Sequence, residues 1–452
     1  MPTAALAQSR LPRTETLALC GGLPVVEKPA GNAFDWPIIT DEDKAAAMEV
    51  LERGAMSALD VTYQYEAEFA AWQGSDYALA CNNGTAAIHS ALFGVGVGVG
   101  DEIICPSVTY WASCLQAFSL GATIVFADLD PRTLCIDPDD IERHISEKTK
   151  AIVVVHFCAH PCEMDKIMEI ARKHGLKVIE DVSHAQGGMF KGKKLGTWGD
   201  VAAMSLMSGK SLIAGEGGML VTDDREIYER ALALGHYERL TEDAIQSQSL
   251  RPYLGLPMGG YKYRIQQLSS AVGRVQLKYY DERCREIRAA MNYFWDCLED
   301  VPGVLPHRVA ETEGSDMAGW YGARGLYVPE ELGGLSVSRF AAAVSAEGSH
   351  CAPGLLQPLH LHSLLNECDI YGHGRPTRIA NAGRDVRQRV GSLPVSETIN
   401  HLTFSIPWIK KFDANLIEQH ANAFRKVAAN SAMLLPGDGG DGTLGTLHMT
   451  TR

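Results

Sequence analysis

The sequence predicts an α/β protein: a large domain with a mostly parallel central sheet flanked by helices, followed by a smaller C-terminal α/β domain. From Tyr77 onward, short β-branched runs alternate with amphipathic stretches, the rhythm of strand-helix units. The runs are apolar throughout instead of alternating with polar residues, as in strands covered on both faces. A chain of 452 residues, 46% hydrophobic and 21% charged, is also too long for one compact core, so two domains are expected.

Taken in order, residues 1–36 are interrupted by Pro and Gly and read as an extended N-terminal arm. Residues 41–53 and 61–73 have the apolar spacing of amphipathic helices. Buried strands are expected at 102–105, 123–127, 151–155, 177–179, 201–205 and 218–222, with helices at 84–92, 111–120 and 164–174 between them. The Val-Gly run at 94–100 reads as a plain helix-to-strand loop. After a turn-rich stretch, 265–289 has strong helical periodicity and links a large domain, 37–280, to a small one, 281–430. Residues 431–452, rich in Gly and Thr, are expected to form a disordered tail.

Forty-one basic residues against 55 acidic ones give a formal net charge of -14, and no Lys/Arg block stands out. That balance argues against nucleic-acid binding and for a small-molecule substrate. No run approaches the roughly 18 apolar residues needed to cross a bilayer. The opening residues lack an apolar signal core, so a cytoplasmic protein with no membrane contact is expected. The 11 cysteines are odd in number and lack C-x-x-C pairs, as in buried thiols of a reducing compartment. His156, Cys158, His160 and Cys162 are ligand-like residue types, but strand alternation would separate them, and no metal site is expected.

Four segments carry residue types suited to chemistry. Asp181, in Lys177-Val178-Ile179-Glu180-Asp181, directly follows an apolar strand, where open α/β sheets bind ligands; capping the next turn is its plainer role. Lys210, in Ser205-Leu206-Met207-Ser208-Gly209-Lys210, follows another strand end and precedes Gly215-Glu216-Gly217-Gly218. One amine then stands in a tight pocket where desolvation makes it a nucleophile, the alternative being a surface lysine in a loop. Asn83-Gly84-Thr85-Ala86 opens a helix with free amides and a hydroxyl, a seat for phosphate or a simple cap. Tyr110 and Trp111 follow a further strand, where a ring stacks on a flat ligand or packs in the core.

Asn83-Gly84-Thr85-Ala86-Ala87, Gly100-Asp101-Glu102-Ile103-Ile104-Cys105-Pro106, Gly121-Ala122-Thr123-Ile124-Val125-Phe126-Ala127-Asp128, Glu180-Asp181, Gly215-Glu216-Gly217-Gly218 and Tyr261-Lys262-Tyr263-Arg264 occur in the order seen in DegT/StrS-type aminotransferases. The resemblance covers about residues 17–427. Leu19-Cys20-Gly21-Gly22-Leu23-Pro24-Val25 is most similar to the branch of glutamine:scyllo-inosose aminotransferases and aminohydroxybenzoate synthases. The resemblance implies a fold-type I enzyme of amino-sugar or aminocyclitol biosynthesis that uses pyridoxal 5′-phosphate. It further implies an amino-acid donor (L-glutamine or L-glutamate), a keto-sugar or keto-cyclitol acceptor, and a homodimer with shared active sites. By the same resemblance Lys210 binds the cofactor covalently, Asp181 pairs with its pyridine nitrogen, and His184 lies near its ring hydroxyl. Tyr110 stacks on the ring, and Gly84, Thr85 and Ser205 hold the phosphate. Lys262 stands where the family has an Asn that reaches the phosphate across the dimer interface, so an ionic contact replaces an amide one.

Two departures from the family pattern fall on substrate-facing segments. Leu206-Met207-Ser208-Gly209 replaces a Phe-His-x-Thr pattern, and Leu359-His360-Leu361-His362 replaces the commoner spacing near a Tyr. His360 and His362 become candidate substrate contacts, although a loop histidine is more often packed or solvated. Arg264 is a candidate for the donor carboxylate. The same frame supports dehydration or elimination and, outside enzymes, a regulatory cofactor-binding module; Lys210 favours transamination over the sugar dehydratases that carry His at that place.

Overall fold

The computed structural model describes residues 16–27, 31–310 and 313–447, so the first residues of the arm and 448–452 lie outside the description. Nine strands come first along the chain: β1 (Tyr77–Cys81), β2 (Glu102–Pro106), β3 (Thr123–Ala127), β4 (Thr149–Val155), β5 (Lys177–Asp181), the short ribbon β6 (Met189–Phe190) and β7 (Lys193–Lys194), β8 (Val201–Ser205) and β9 (Gly218–Thr222). Seven of them form one sheet in the order β1-β9-β8-β5-β4-β2-β3. Neighbours from β3 to β8 are parallel, whereas β9 runs against both β8 and β1. That reversal has a local cause. Residues 206–217 continue β8 and β9 as a hairpin, pairing Leu206 with Gly217 and Ser208 with Gly215, which leaves no chain for a crossover helix.

Helices α1 (Asp41–Glu52), α2 (Asp60–Gln73), α3 (Gly84–Gly94), α4 (Pro138–His144), α5 (Met164–His174), α6 (Arg225–Gly235) and α7 (Gln267–Asp296) surround the sheet. Strand alternation sorts the packing: Ile179, Ala203 and Leu220 join α3 and α6, while Ala202 and Met204 join Tyr65 and Phe69 of α2 on the opposite face. The helix expected at 111–120 is instead two 3₁₀ turns, Trp111–Ser113 and Leu115–Leu120, broken at Cys114 (φ -141°). The break lets the Ser113 hydroxyl reach Asp181 at 2.7 Å, a tertiary bond that local periodicity does not encode.

The second half of α7 packs Ile287, Met291 and Phe294 into another core. That core includes β10 (Val304–Pro306), β11 (Arg324–Tyr327), α8 (Val337–Ala346), β12 (Thr403–Ser405) and a last helix, while α9 (Ser363–Asn366), α10 (Thr377–Ala380) and α11 (Pro394–Thr398) lie between α8 and β12. The last helix is α12 (Ala414–Ala429). Residues 355–399 leave this core: Leu355, Leu356, Val386 and Ile399 pack with the strands of the large sheet. They seal its edge at β3, where Arg378 donates to the Ile124 carbonyl (2.9 Å) and the Gln388 amide accepts from Phe126 N–H (3.2 Å) and donates to its carbonyl (2.6 Å).

Residues 431–447 are ordered, which corrects that part of the expected disordered tail; 448–452 lie outside the described residues. Leu434 is buried, and Asp438 accepts from the Ser336 backbone N–H (2.7 Å) and hydroxyl (2.5 Å) at the start of α8. Thr446 pairs with Leu355 and Gln357 through the backbone. The Gly and Thr content signals flexibility, but these bonds offset the ordering entropy. The described part of the arm docks on the second core: Leu17 is buried, and buried Glu347 accepts from Ala18 and Val25 N–H groups while pairing with Lys426. No helix among the described residues is long and apolar enough to cross a membrane.

Candidate active site

Ile179 of β5 and Ala203 of β8 face α3, so Asp181 and Ser205, two positions further, end their strands on the same face. The start of α3 meets them closely: a methyl on Gly84 would lie 2.7 Å from the Ser205 Cβ, and one on Gly218 would lie 2.3 Å from the Asn83 carbonyl oxygen. Only glycine permits both approaches. The Asn83 side chain caps the helix by accepting from Ala86 N–H at 2.8 Å, leaving the first amides, at Gly84 and Thr85, to a ligand.

Lys210 sits at the tip of the β8–β9 hairpin, its amide donating to the Met207 carbonyl at 2.8 Å. The residue is only 9% exposed, and Nζ lies 4.3 Å from the centre of the Tyr321 ring. Burial draws the ammonium down to about 8, against the opposing pull of Asp181 and the Cys158 thiol. Asp181 is fixed by two donors, the Ser113 hydroxyl at 2.7 Å and the Ser183 N–H at 3.0 Å. Thr109 extends that chain with a 3.0 Å bond to Ser113.

His184 packs between Phe157 (5.3 Å) and Tyr321 (4.7 Å), and its Nδ1 accepts from Cys158 N–H at 3.3 Å. Burial first, then the charges of Lys210 and Arg324, hold this imidazole well below its usual range, so it is neutral. Two turns bordering the site hold non-glycine residues in the left-handed region: Cys158 (φ 50°) and Ala159 (φ 67°), and Ala318 (φ 45°) and Trp320 (φ 51°). The first presents its N–H to His184 and the second carries Tyr321, so backbone strain concentrates where the lysine is framed. Tyr110 is 37% exposed and tilts against Trp111 at 4.9 Å. Burial raises its phenol, and the Glu216 charge, which also raises it, comes from the turn that closes the Lys210 hairpin.

The remaining expected site residues lie elsewhere or are already engaged. Lys262 is exposed, its Nζ 5.8 Å from the Tyr237 ring centre. Arg264 is paired with Glu238, and its backbone bridges Cys81. His360 is fully buried, with one ring nitrogen on the Ser107 hydroxyl (2.7 Å) and the other on Glu397 (3.2 Å). His362 accepts from Leu364 N–H at 3.1 Å and caps α9. Arg264 thus stands in an ion pair, His360 ties 355–399 to Ser107 at the end of β2, and His362 caps a helix within that segment.

Sequence reasoning missed Ser113, Tyr321, Trp36 and Arg324. Arg324 shares a face of β11 with Leu326, which packs on the large-sheet core. Among the described residues its Nε is buried without a hydrogen-bond partner, and Nη1 reaches only the carbonyls of Gly322 and Ala323. No spacing rule announces such a cation, since its surroundings come from loops distant in sequence. His156 and Glu180 form a buried pair (3.0 Å) at the carboxyl ends of β4 and β5. Glu180 also accepts from the N–H groups of Gly196, Trp198 and Gly199, each at 2.7 Å. Among the described residues no group of three ligand-type side chains is placed to hold a metal.

The sequence pattern of the DegT/DnrJ/EryC1/StrS aminotransferase family matches residues 37–419. The spore coat polysaccharide biosynthesis protein SpsC of Bacillus subtilis is 34% identical over 331 residues, 73% of this chain and 84% of that protein. The GDP-perosamine synthase of Caulobacter vibrioides is 40% identical over 221 residues, 48% of this chain and 57% of that protein. Among solved structures, an aminotransferase from Psychrobacter cryohalolentis superposes with a TM-score of 0.75 at 27% identity, covering 88% of this chain and 99% of that one.

Proposed function

We propose, from the premise that the chain belongs to the DegT/DnrJ/EryC1/StrS aminotransferase family, that it moves an amino group from L-glutamine or L-glutamate to the ketone of a keto-sugar or keto-cyclitol, with pyridoxal 5′-phosphate as cofactor. The observation that carries this reading is Lys210, a buried amine drawn down to about 8 and framed by Tyr321, in the electrostatic reach of Asp181. The surrounding residues fit the cofactor: a carboxylate fixed by Ser113, a neutral imidazole at His184, and a helix start brought against Ser205 by a glycine that admits no methyl.

Bound there, pyridoxal phosphate supplies an electron sink for the carbon that carries the migrating amine. Asp181, kept from turning away by Ser113, would hold its negative charge toward the ring nitrogen. Gly84, Thr85 and Ser205 would hold the phosphate at the positive end of α3. Lys210, its ammonium drawn down by burial, would take a proton from the donor α-carbon in one half-reaction and deliver one to the acceptor carbon in the other. His184 adds no charge against the lysine because it stays neutral. The buried Arg324 Nε, without a hydrogen-bond partner among the described residues, supports a donor that carries a carboxylate.

The names of the relatives support a sugar-like acceptor, while Leu19-Cys20-Gly21-Gly22-Leu23-Pro24-Val25 supports the cyclitol branch. Transamination in two halves has a stoichiometric signature. With L-glutamine and no acceptor, the purified protein loaded with pyridoxal phosphate should form one equivalent of keto acid per site and stop. A ketone acceptor should restart it, and Lys210→Ala should form none. Continuous release of products from one substrate alone would instead indicate elimination and overturn the proposal.

A further inference from the structure

We infer that Trp36 is a positioning residue for Lys210, delivered to the β8–β9 hairpin by the N-terminal arm. The inference rests on the reading of Lys210 as the reactive amine. Trp36 Nε1 donates to the Lys210 carbonyl oxygen at 2.7 Å. The indole packs on Trp408 at 5.5 Å, and Trp408 in turn donates its own Nε1 to the Gly319 carbonyl at 2.9 Å. Gly319 belongs to the turn that carries Tyr321, whose ring meets Trp408 edge-on at 5.9 Å and lies 4.3 Å from the Lys210 Nζ. The contacts therefore close on themselves: Trp36 holds the lysine by its backbone, Tyr321 frames its amine, and Trp408 braces both rings.

The arm is anchored strongly enough to transmit this hold. Lys410 donates its backbone N–H to the Ala33 carbonyl (2.8 Å) and its Nζ to the Phe34 carbonyl (3.0 Å), which fixes the Ala33–Phe34 and Phe34–Asp35 peptides shortly before Trp36. Upstream, buried Glu347 accepts from the Ala18 and Val25 N–H groups. Trp36 packs with the second core while its indole N–H bonds a loop of the large domain. The arm thus ties the register of the two cores to the position of one lysine. A hairpin tip with Gly209 beside the lysine has backbone freedom to lose, and a single fixed carbonyl removes much of it.

Trp36→Phe keeps an aromatic ring against Trp408 and removes only the donor. In the apoprotein, Lys210 labelling by acetic anhydride, read by peptide mass spectrometry against pH, should then shift its midpoint upward by about one unit, because a loosened hairpin rehydrates the amine. In the loaded enzyme, the first-order rate of keto-acid formation from L-glutamine should fall about tenfold with the half-saturating concentration unchanged. Thermal unfolding of the same variant checks folding. A lower melting temperature with an unmoved labelling midpoint would assign Trp36 a structural role alone and overturn the inference, as would rate and midpoint both equal to wild type. If wild type itself forms no keto acid, the amine-transfer reading fails, and the labelling shift still decides whether Trp36 positions Lys210.

Discussion

A buried ammonium without an acid bonded to it lowers stability whenever it carries its proton. Lys210 is such a group, at about 8 in the fold against about 10.4 in an unfolded chain. Between those values the unfolded chain binds more protons, so stability rises with pH from 8 towards 10, and below 8 the full cost remains. Lys210→Met should accordingly stabilise the apoprotein by on the order of 2–3 kcal/mol at pH 7, with most of the gap gone at pH 9.5. Urea unfolding at the two pH values measures this, and a gap of equal size at both would show that the amine is not held down. That Asp181 ends a strand and Lys210 stands beyond another was legible, because a strand's carboxyl end is a place that sequence pattern can locate. Ser113, Tyr321 and Trp36 were not, because each arrives by a path that no local period describes: a broken 3₁₀ turn, a strained loop and a docked arm.

At the scale of elements, the phosphate seat depends on how closely α3 approaches β8. Gly84→Ala puts a methyl 2.7 Å from the Ser205 Cβ and 2.8 Å from its Cα, a backbone clash that no rotamer relieves. The variant should lose about 1–3 kcal/mol of stability through overpacking. It should also bind pyridoxal phosphate at least about tenfold more weakly, since the helix amides retreat from the strand end. Fluorescence titration of the apoprotein reads the second effect; unchanged affinity would remove α3 from the site. The parallel strands were readable from their unbroken apolar runs, and β9 was readable as a strand but not as the reversed one, because direction is set by the hairpin that carries Lys210. The 355–399 excursion was unreadable for a different reason. Besides scattered apolar contacts, it is held by polar side chains, Arg378 and Gln388, satisfying the open edge of β3, and such bonds leave no hydrophobic period.

At the scale of the whole molecule, the loop before Lys262 exposes Tyr253 (62%), Leu256 (76%) and Met258 (40%), a run of apolar surface. The two cores were foreshadowed by chain length and by the long helix α7, which contributes to both; what covers the exposed loop is beyond the reach of one chain's pattern. Lys262 follows that loop, exposed, and in the homodimer that the family resemblance implies we propose that it reaches the phosphate of the neighbouring site. Complementation separates this from a contact within one chain. Lys210→Ala lacks the amine and Lys262→Ala lacks the phosphate contact, so each homodimer should be inactive or strongly impaired. Random exchange of equal amounts makes about half the dimers hybrid, and in a shared-site dimer each hybrid rebuilds one intact site of two. The mixture should therefore recover about a quarter of wild-type keto-acid formation under limiting pyridoxal phosphate. If Lys262 serves its own chain, every hybrid site lacks one of the two amines and nothing is recovered. Sedimentation of the wild type as an active monomer would exclude the shared site independently, since a lone chain has no neighbour whose phosphate its Lys262 can meet.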